Sequence, residues 1–152
     1  MRQAIESLLT RTRSLFNREC LHQSPNRVKI LGLLADERDR HLLAEAGARN
    51  QWDITFAASY QEARLLLEKI GAPVVLCDRD MASQDWWSLV EGLAACSPRA
   101  CILLVSKVAD AYLWNEIVRR GGYDVLSKPL QEDEVVRVVR LARTYWSSTS
   151  MR

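Results

Sequence analysis

The sequence contains no C-x-x-C pair, no glycine-rich phosphate loop and no long apolar run. Its four cysteines (Cys20, Cys77, Cys96 and Cys101) are widely spaced. They read as small apolar residues of a reducing compartment rather than as metal ligands or a disulfide frame. No strand-like segment is followed by the G-x-G-x-x-G or G-x-x-x-x-G-K pattern, which excludes the usual dinucleotide and P-loop sites. No apolar run approaches the roughly 18–20 residues of a membrane span. The first residues lack both a continuous apolar core and a small-residue cleavage site, so a cytoplasmic protein is expected, with no membrane association. A charge excess of one sign is also lacking. With 21 Lys and Arg against 19 Asp and Glu, the formal charge is +2, which gives no argument for direct nucleic-acid binding.

The 152 residues make up one domain's length, and 48% of them are hydrophobic. Residues 1–20 read as an amphipathic helix, with Ile5, Leu8, Leu9, Leu15 and Phe16 near helical spacing. Ser24-Pro25-Asn26 breaks it, which sets a boundary between a leading helix with linker (1–26) and a domain (27–146), followed by a tail (147–152).

From Arg27 onward, short apolar runs alternate with helical patterns. The spacing predicts strands over 28–35, 52–57, 73–77, 100–105 and 123–127. Helices are predicted over 38–46 ending at Gly47, 59–70 ending at Gly71, 85–96, 109–120 and 131–145. Ser59 with Glu62 three residues on forms a capping box. Five β-α units in this order predict a doubly wound parallel sheet with helices on both faces, preceded by the N-terminal helix. Ligands of such sheets bind beyond the carboxyl ends of the strands, where the strand order reverses.

The strand ends carry chemistry. Asp36-Glu37 follows the first strand. Asp78 ends the third, with Asp80 two residues on. Ser106-Lys107 follows the fourth, and Lys128-Pro129 the fifth. Each has an ordinary reading as a cap, a loop residue or a solvated cation; four at equivalent strand ends are harder to treat so. A carboxylate can attack phosphorus to give an acyl phosphate. Carboxylates can hold Mg²⁺ against it, and a lysine and a hydroxyl can meet the phosphoryl oxygens.

Val74-Val75-Leu76-Cys77-Asp78-Arg79-Asp80-Met81 resembles the phosphoacceptor strand and loop of bacterial response-regulator receiver domains. Ile102-Leu103-Leu104-Val105-Ser106 resembles their switch strand. Gly122-Tyr123-Asp124-Val125-Leu126-Ser127-Lys128-Pro129 resembles the strand with the Lys-Pro pair. The resemblance covers about residues 27–145. It implies the flavodoxin-like receiver fold, Asp78 as phosphoacceptor, and Ser106 and Lys128 as phosphoryl-binding groups. It also implies Mg²⁺ held by Asp36, Asp78 and the backbone carbonyl of Asp80.

Several positions depart from the pattern. Ala35-Asp36 is the best match to the acidic pair, so one acid is alanine; shifting the pair to Asp36-Glu37 restores two acids and brings in Glu37 as a ligand. Ala82 replaces a proline, Lys107 a small residue, and Val125 the aromatic switch residue. Weak Mg²⁺ binding and no aromatic-coupled switch are therefore expected. The implied function is a non-enzymatic signalling module without a fused output domain. It would be phosphorylated by a sensor histidine kinase and would signal to an unknown downstream protein. The alternative is a pseudo-receiver that works as an unphosphorylated interaction module. Tyr112, Trp114 and Val125 mark the expected partner surface. The leading helix is expected to pair two copies into a homodimer. Of the adjacent Trp86 and Trp87, one is expected in the core and one at the surface.

Overall fold

The computed structural model describes residues 27–81 and 85–150, and for 147–150 the backbone only. The expected helix over residues 1–20 lies outside the described residues. Five β-α units follow one another: β1 (Val28–Leu33), α1 (Glu37–Asn50), β2 (Trp52–Phe56), α2 (Tyr60–Ile70), β3 (Val74–Asp78), α3 (Trp86–Cys96), β4 (Cys101–Ser106), α4 (Ala111–Arg119), β5 (Asp124–Ser127) and α5 (Glu132–Ser150). A single 3₁₀ turn, Arg79–Met81, leaves β3. All strands pair in parallel in the order β2-β1-β3-β4-β5. The order reverses between β1 and β3, so their carboxyl ends flank the crevice where such sheets place ligands.

Alternation along the strands divides the core into two. Ile30, Val74, Leu76, Leu103 and Val105 face α1 and α5, where Leu43, Val135, Val138 and Val139 meet them. Leu31, Leu33, Val75, Cys77, Ile102 and Leu104 face Ala63, Leu67, Leu89, Val90, Leu93, Leu113 and Ile117 of α2, α3 and α4. Strands buried on both faces need no polar residue in the pattern, which explains their nearly continuous apolar runs. Each large side chain so buried contributes roughly 1.5–3 kcal/mol.

Local signals set the helix ends. Asp36 caps α1, accepting from the Arg38 amide at 2.9 Å. Ser59 caps α2 through the Glu62 amide at 3.2 Å, while Glu62 Oε1 accepts from the amide of Ala58, one residue before the cap. Asp110 caps α4 through the Leu113 amide at 2.8 Å. Gly71 ends α2 at φ 61°, a left-handed conformation natural to glycine.

Two helices exceed expectation. Gly47 does not end α1, which runs three residues further to Asn50 and closes on Gln51 at φ 59°. The glycine answers to packing: a Cβ at position 47 would collide with the Ile54 side chain on β2. Likewise α5 continues through Ser150, past the boundary at 146 and into the expected tail, since nothing after Tyr145 is a helix breaker. Trp86 is buried and Trp87 is 38% exposed, the expected division. Cys77 and Cys101 are buried free thiols; burial pushes them up to about 12 and about 11, so they stay protonated and act as apolar filler.

Candidate functional site at the carboxyl ends of the strands

The parallel register brings Asp78 level with Val105 on β4, and Ser106 level with Ser127 on β5. Asp78 is fully buried, and its carboxylate is a hub. Oδ1 accepts from the Asp80 amide at 2.9 Å, Oδ2 accepts from the Ala35 amide at 3.0 Å, and the Lys128 ammonium sits 2.8 Å from Oδ2. Lys128 reaches a second acid, with Nζ 2.9 Å from Asp80 Oδ2. The lysine side chain is 7% exposed and that of Asp80 53%, so the ammonium bridges a buried and a solvated carboxylate.

The charges respond to one another. The hydrogen bond from Lys128 holds the Asp80 carboxyl below its ordinary value, against the opposing effect of burial; the charges of Lys128, Lys107 and Arg79 add to the lowering. Burial acts to lower Lys128, but the hydrogen bonds to Asp78 and Asp80 and the charges of both acids together raise the ammonium above its usual value. Lys128 is thus a fixed cation at any neutral pH.

Ser106 is buried at the end of β4. Its Oγ accepts from the Val108 amide at 3.1 Å, and its carbonyl accepts from the Lys128 amide at 2.9 Å. The hydroxyl therefore belongs to a turn that also carries Lys107, which is exposed. The Lys128–Pro129 peptide is cis.

The acidic pair after β1 is distributed differently. Ala35 brings no carboxylate, and what it gives Asp78 is its amide. Asp36 and Glu37 are both exposed, and Asp36 Oδ1 is engaged by the helix cap. Among the described residues no group of three or more His, Cys, Asp or Glu side chains is placed to hold a metal ion. The remaining donors, the Asp36 and Asp78 carboxylates and the Asp80 carbonyl, are all oxygen and fit Mg²⁺ in kind. They are one carboxylate short of the acidic pair plus phosphoacceptor.

Tyr112 is 74% exposed and Trp114 46%. They flank the buried Leu113, and at 100° per residue they splay to opposite sides of α4 rather than forming one aromatic patch. Val125 is half-buried against the core beneath α2, α3 and α4. A groove of about 650 Å³ lined by Arg49, Glu132, Arg137 and Arg140 runs between α1 and α5, and holds none of these residues.

Sequence reasoning missed Asp39. It lies in the first turn of α1, is buried, and accepts from the Leu130 amide at 3.2 Å. Its place on the inward stripe, four residues before Leu43, was the available signal.

No protein-family model and no curated protein matches the sequence. Solved structures do match. A signal receiver domain of an HD-domain-containing protein from Pseudomonas fluorescens superposes with TM-score 0.75 at 22% identity, covering 85% of this chain and 96% of that one. The fold is the response-regulator receiver fold. A two-component response regulator from Clostridium difficile gives TM-score 0.70 at 18% identity, covering 78% and 97%. A chemotaxis protein from Vibrio cholerae gives 0.69 at 16%, covering 76% and 98%. The similarity spans nearly the whole of these receivers. Among the described residues, no helix of this receiver-fold chain is long and apolar enough to cross a membrane.

Proposed function

We propose that this receiver-fold chain is a phosphoacceptor signalling domain in which Asp78 takes a phosphoryl group from a sensor histidine kinase. The observation that carries the reading is the 2.8 Å contact between the Asp78 carboxylate and the Lys128 ammonium at the strand-order reversal. A carboxylate oxygen of Asp78 attacks phosphorus of the phosphohistidine; the new P–O bond forms as the P–N bond breaks, and the imidazole leaves. Lys128 meets the phosphoryl oxygens as a point charge, and the Ser106 hydroxyl donates to one of them. Asp36, Asp78 and the Asp80 carbonyl would hold Mg²⁺, which would supply further positive charge to the site. Its binding would be weak, because Ala35 brings no carboxylate. The phosphorylated domain passes its state to another protein through contacts.

A second reading has its own support. Asp78 has no exposed surface, and both its oxygens already hold partners. A receiver fold closed in this way works as an interaction module that needs no phosphorylation. Incubation with Mg²⁺ and acetyl phosphate, read by intact mass, separates the two. The phosphoacceptor reading expects one added phosphoryl group in the wild type and none in Asp78→Asn. A wild type that stays unmodified under conditions that label an ordinary receiver selects the interaction module.

A further inference from the structure

Asp39, Asp78 and Ser106 are the buried polar or charged side chains among the described residues. Two of them form the site; the third is on α1, in its first turn. An acid in a helix's first turn needs no burial to gain from the helix dipole, and Glu37 already occupies that turn in solvent. Asp39 is instead turned inward, with 2% of its surface exposed. Oδ1 accepts from the Leu130 amide across 91 residues of chain, and Oδ2 has no hydrogen-bond partner. A buried carboxyl with one oxygen unsatisfied is unfavourable for stability, and an apolar residue would avoid that cost. The one thing this acid does is fix the backbone two residues after Lys128.

The neighbouring residue acts in parallel. Arg40 Nη1 donates to the Leu34 carbonyl at 2.8 Å, holding the loop whose next amide, Ala35, donates to Asp78. The first turn of α1 thus ties two of the three loops that reach the Asp78 carboxylate, Arg40 the one after β1 and Asp39 the one after β5.

We infer that Asp39 is a positioning residue for Lys128: by anchoring the Leu130 amide it fixes the loop that delivers the ammonium to Asp78. The assignment rests on the reading of Lys128 as the phosphoryl-binding cation. Asparagine keeps an acceptor for the Leu130 amide and should substitute; alanine leaves that buried amide unpaired and frees the loop.

The test reads Lys128 directly. The full-length protein, labelled with ¹⁵N, shows a slowly exchanging Lys128 ammonium signal where the group is held by two carboxylates. Asp39→Ala abolishes that signal, whereas Asp39→Asn keeps it. Leu43→Ala, a core truncation on the same helix, keeps it as well. Labelling by acetyl phosphate at saturating donor falls on the order of ten- to a hundredfold in Asp39→Ala, as expected for a displaced charge, and returns in Asp39→Asn. In the wild type, a coupling across the hydrogen bond between the Leu130 amide and the Asp39 carboxyl carbon is required, which holds the test even where Asp39→Ala does not fold. An unchanged ammonium signal in Asp39→Ala, its equal loss in Leu43→Ala, or absence of the wild-type coupling overturns the assignment. A wild type that takes no phosphoryl group counts against the phosphoacceptor reading, and leaves the ammonium signal as the measure of Asp39.

Discussion

Lys128 touches two acids at almost equal distance, 2.8 and 2.9 Å, and burial decides which contact matters. Asp78 has no exposed surface, whereas the Asp80 side chain is 53% exposed. Removing Lys128 as Lys128→Met leaves the Asp78 carboxylate buried with two amide donors and no counter-charge. Breaking a buried pair from one side costs about 3–5 kcal/mol; the two remaining amides place this case near the low end, at about 3 kcal/mol. The pair with Asp80 is screened by water and contributes under about 1 kcal/mol. Two double-mutant cycles measured by urea unfolding at pH 7 make the comparison. Lys128→Met with Asp78→Asn should give a coupling of about 2–3 kcal/mol, and Lys128→Met with Asp80→Asn less than about 1 kcal/mol. Asparagine at 78 is itself imperfect, since its amide must face one of two backbone donors, but the cycle removes that single-site cost. Equal couplings, or a larger one with Asp80, would refute the claim that burial ranks these contacts.

Much of this is legible in the sequence, for identifiable reasons. The β-α alternation is written in apolar runs that two covered faces require, so all five strands lie within a residue or two of their expected places. Asp78, Ser106 and Lys128 stand at strand ends, and a parallel register brings such ends together. What the sequence does not carry is the partner of each polar group. The motif marks Asp80 for its carbonyl, yet its side chain is one of the two carboxylates at the Lys128 ammonium, a pairing that depends on the turn Arg79–Met81. Gly47 reads as a helix end because stop signals are local, whereas its reason lies across the α1–β2 contact. Beyond its place on the inward stripe, nothing in the sequence sets Asp39 apart, because an acid in a first helical turn has an ordinary exposed reading; only the approach of Leu130 from the other end of the domain makes it otherwise.

Further outcomes follow from the same contacts. Ala35→Asp should tighten Mg²⁺ binding in a titration, since it adds a charge and an oxygen ligand; tight binding in the wild type would show that Glu37 fills the place and that Ala35 is not the missing acid. Arg120→Ala should lower stability by about 1–2 kcal/mol in thermal melts, because the guanidinium lies 5.6 Å from the centre of the Trp87 ring and pairs with Glu91 and Glu116; an unchanged melt would mean that the stack is idle. The last outcome concerns acid. Asp80 has its folded value depressed, chiefly by the hydrogen bond from Lys128. A depressed carboxyl adds stability above its unfolded value, near 3.9, and loses it as pH falls through the folded value. Asp80→Asn should therefore match the wild type most closely below that window and fall behind it above. The gap at neutral pH stays under about 1 kcal/mol, because most of the side chain is in water. Urea midpoints from pH 2 to 7 test the sign: a gap that widens toward low pH would mean that Lys128 does not hold Asp80 ionised, and that the bridge between the two acids is a contact without an electrostatic consequence.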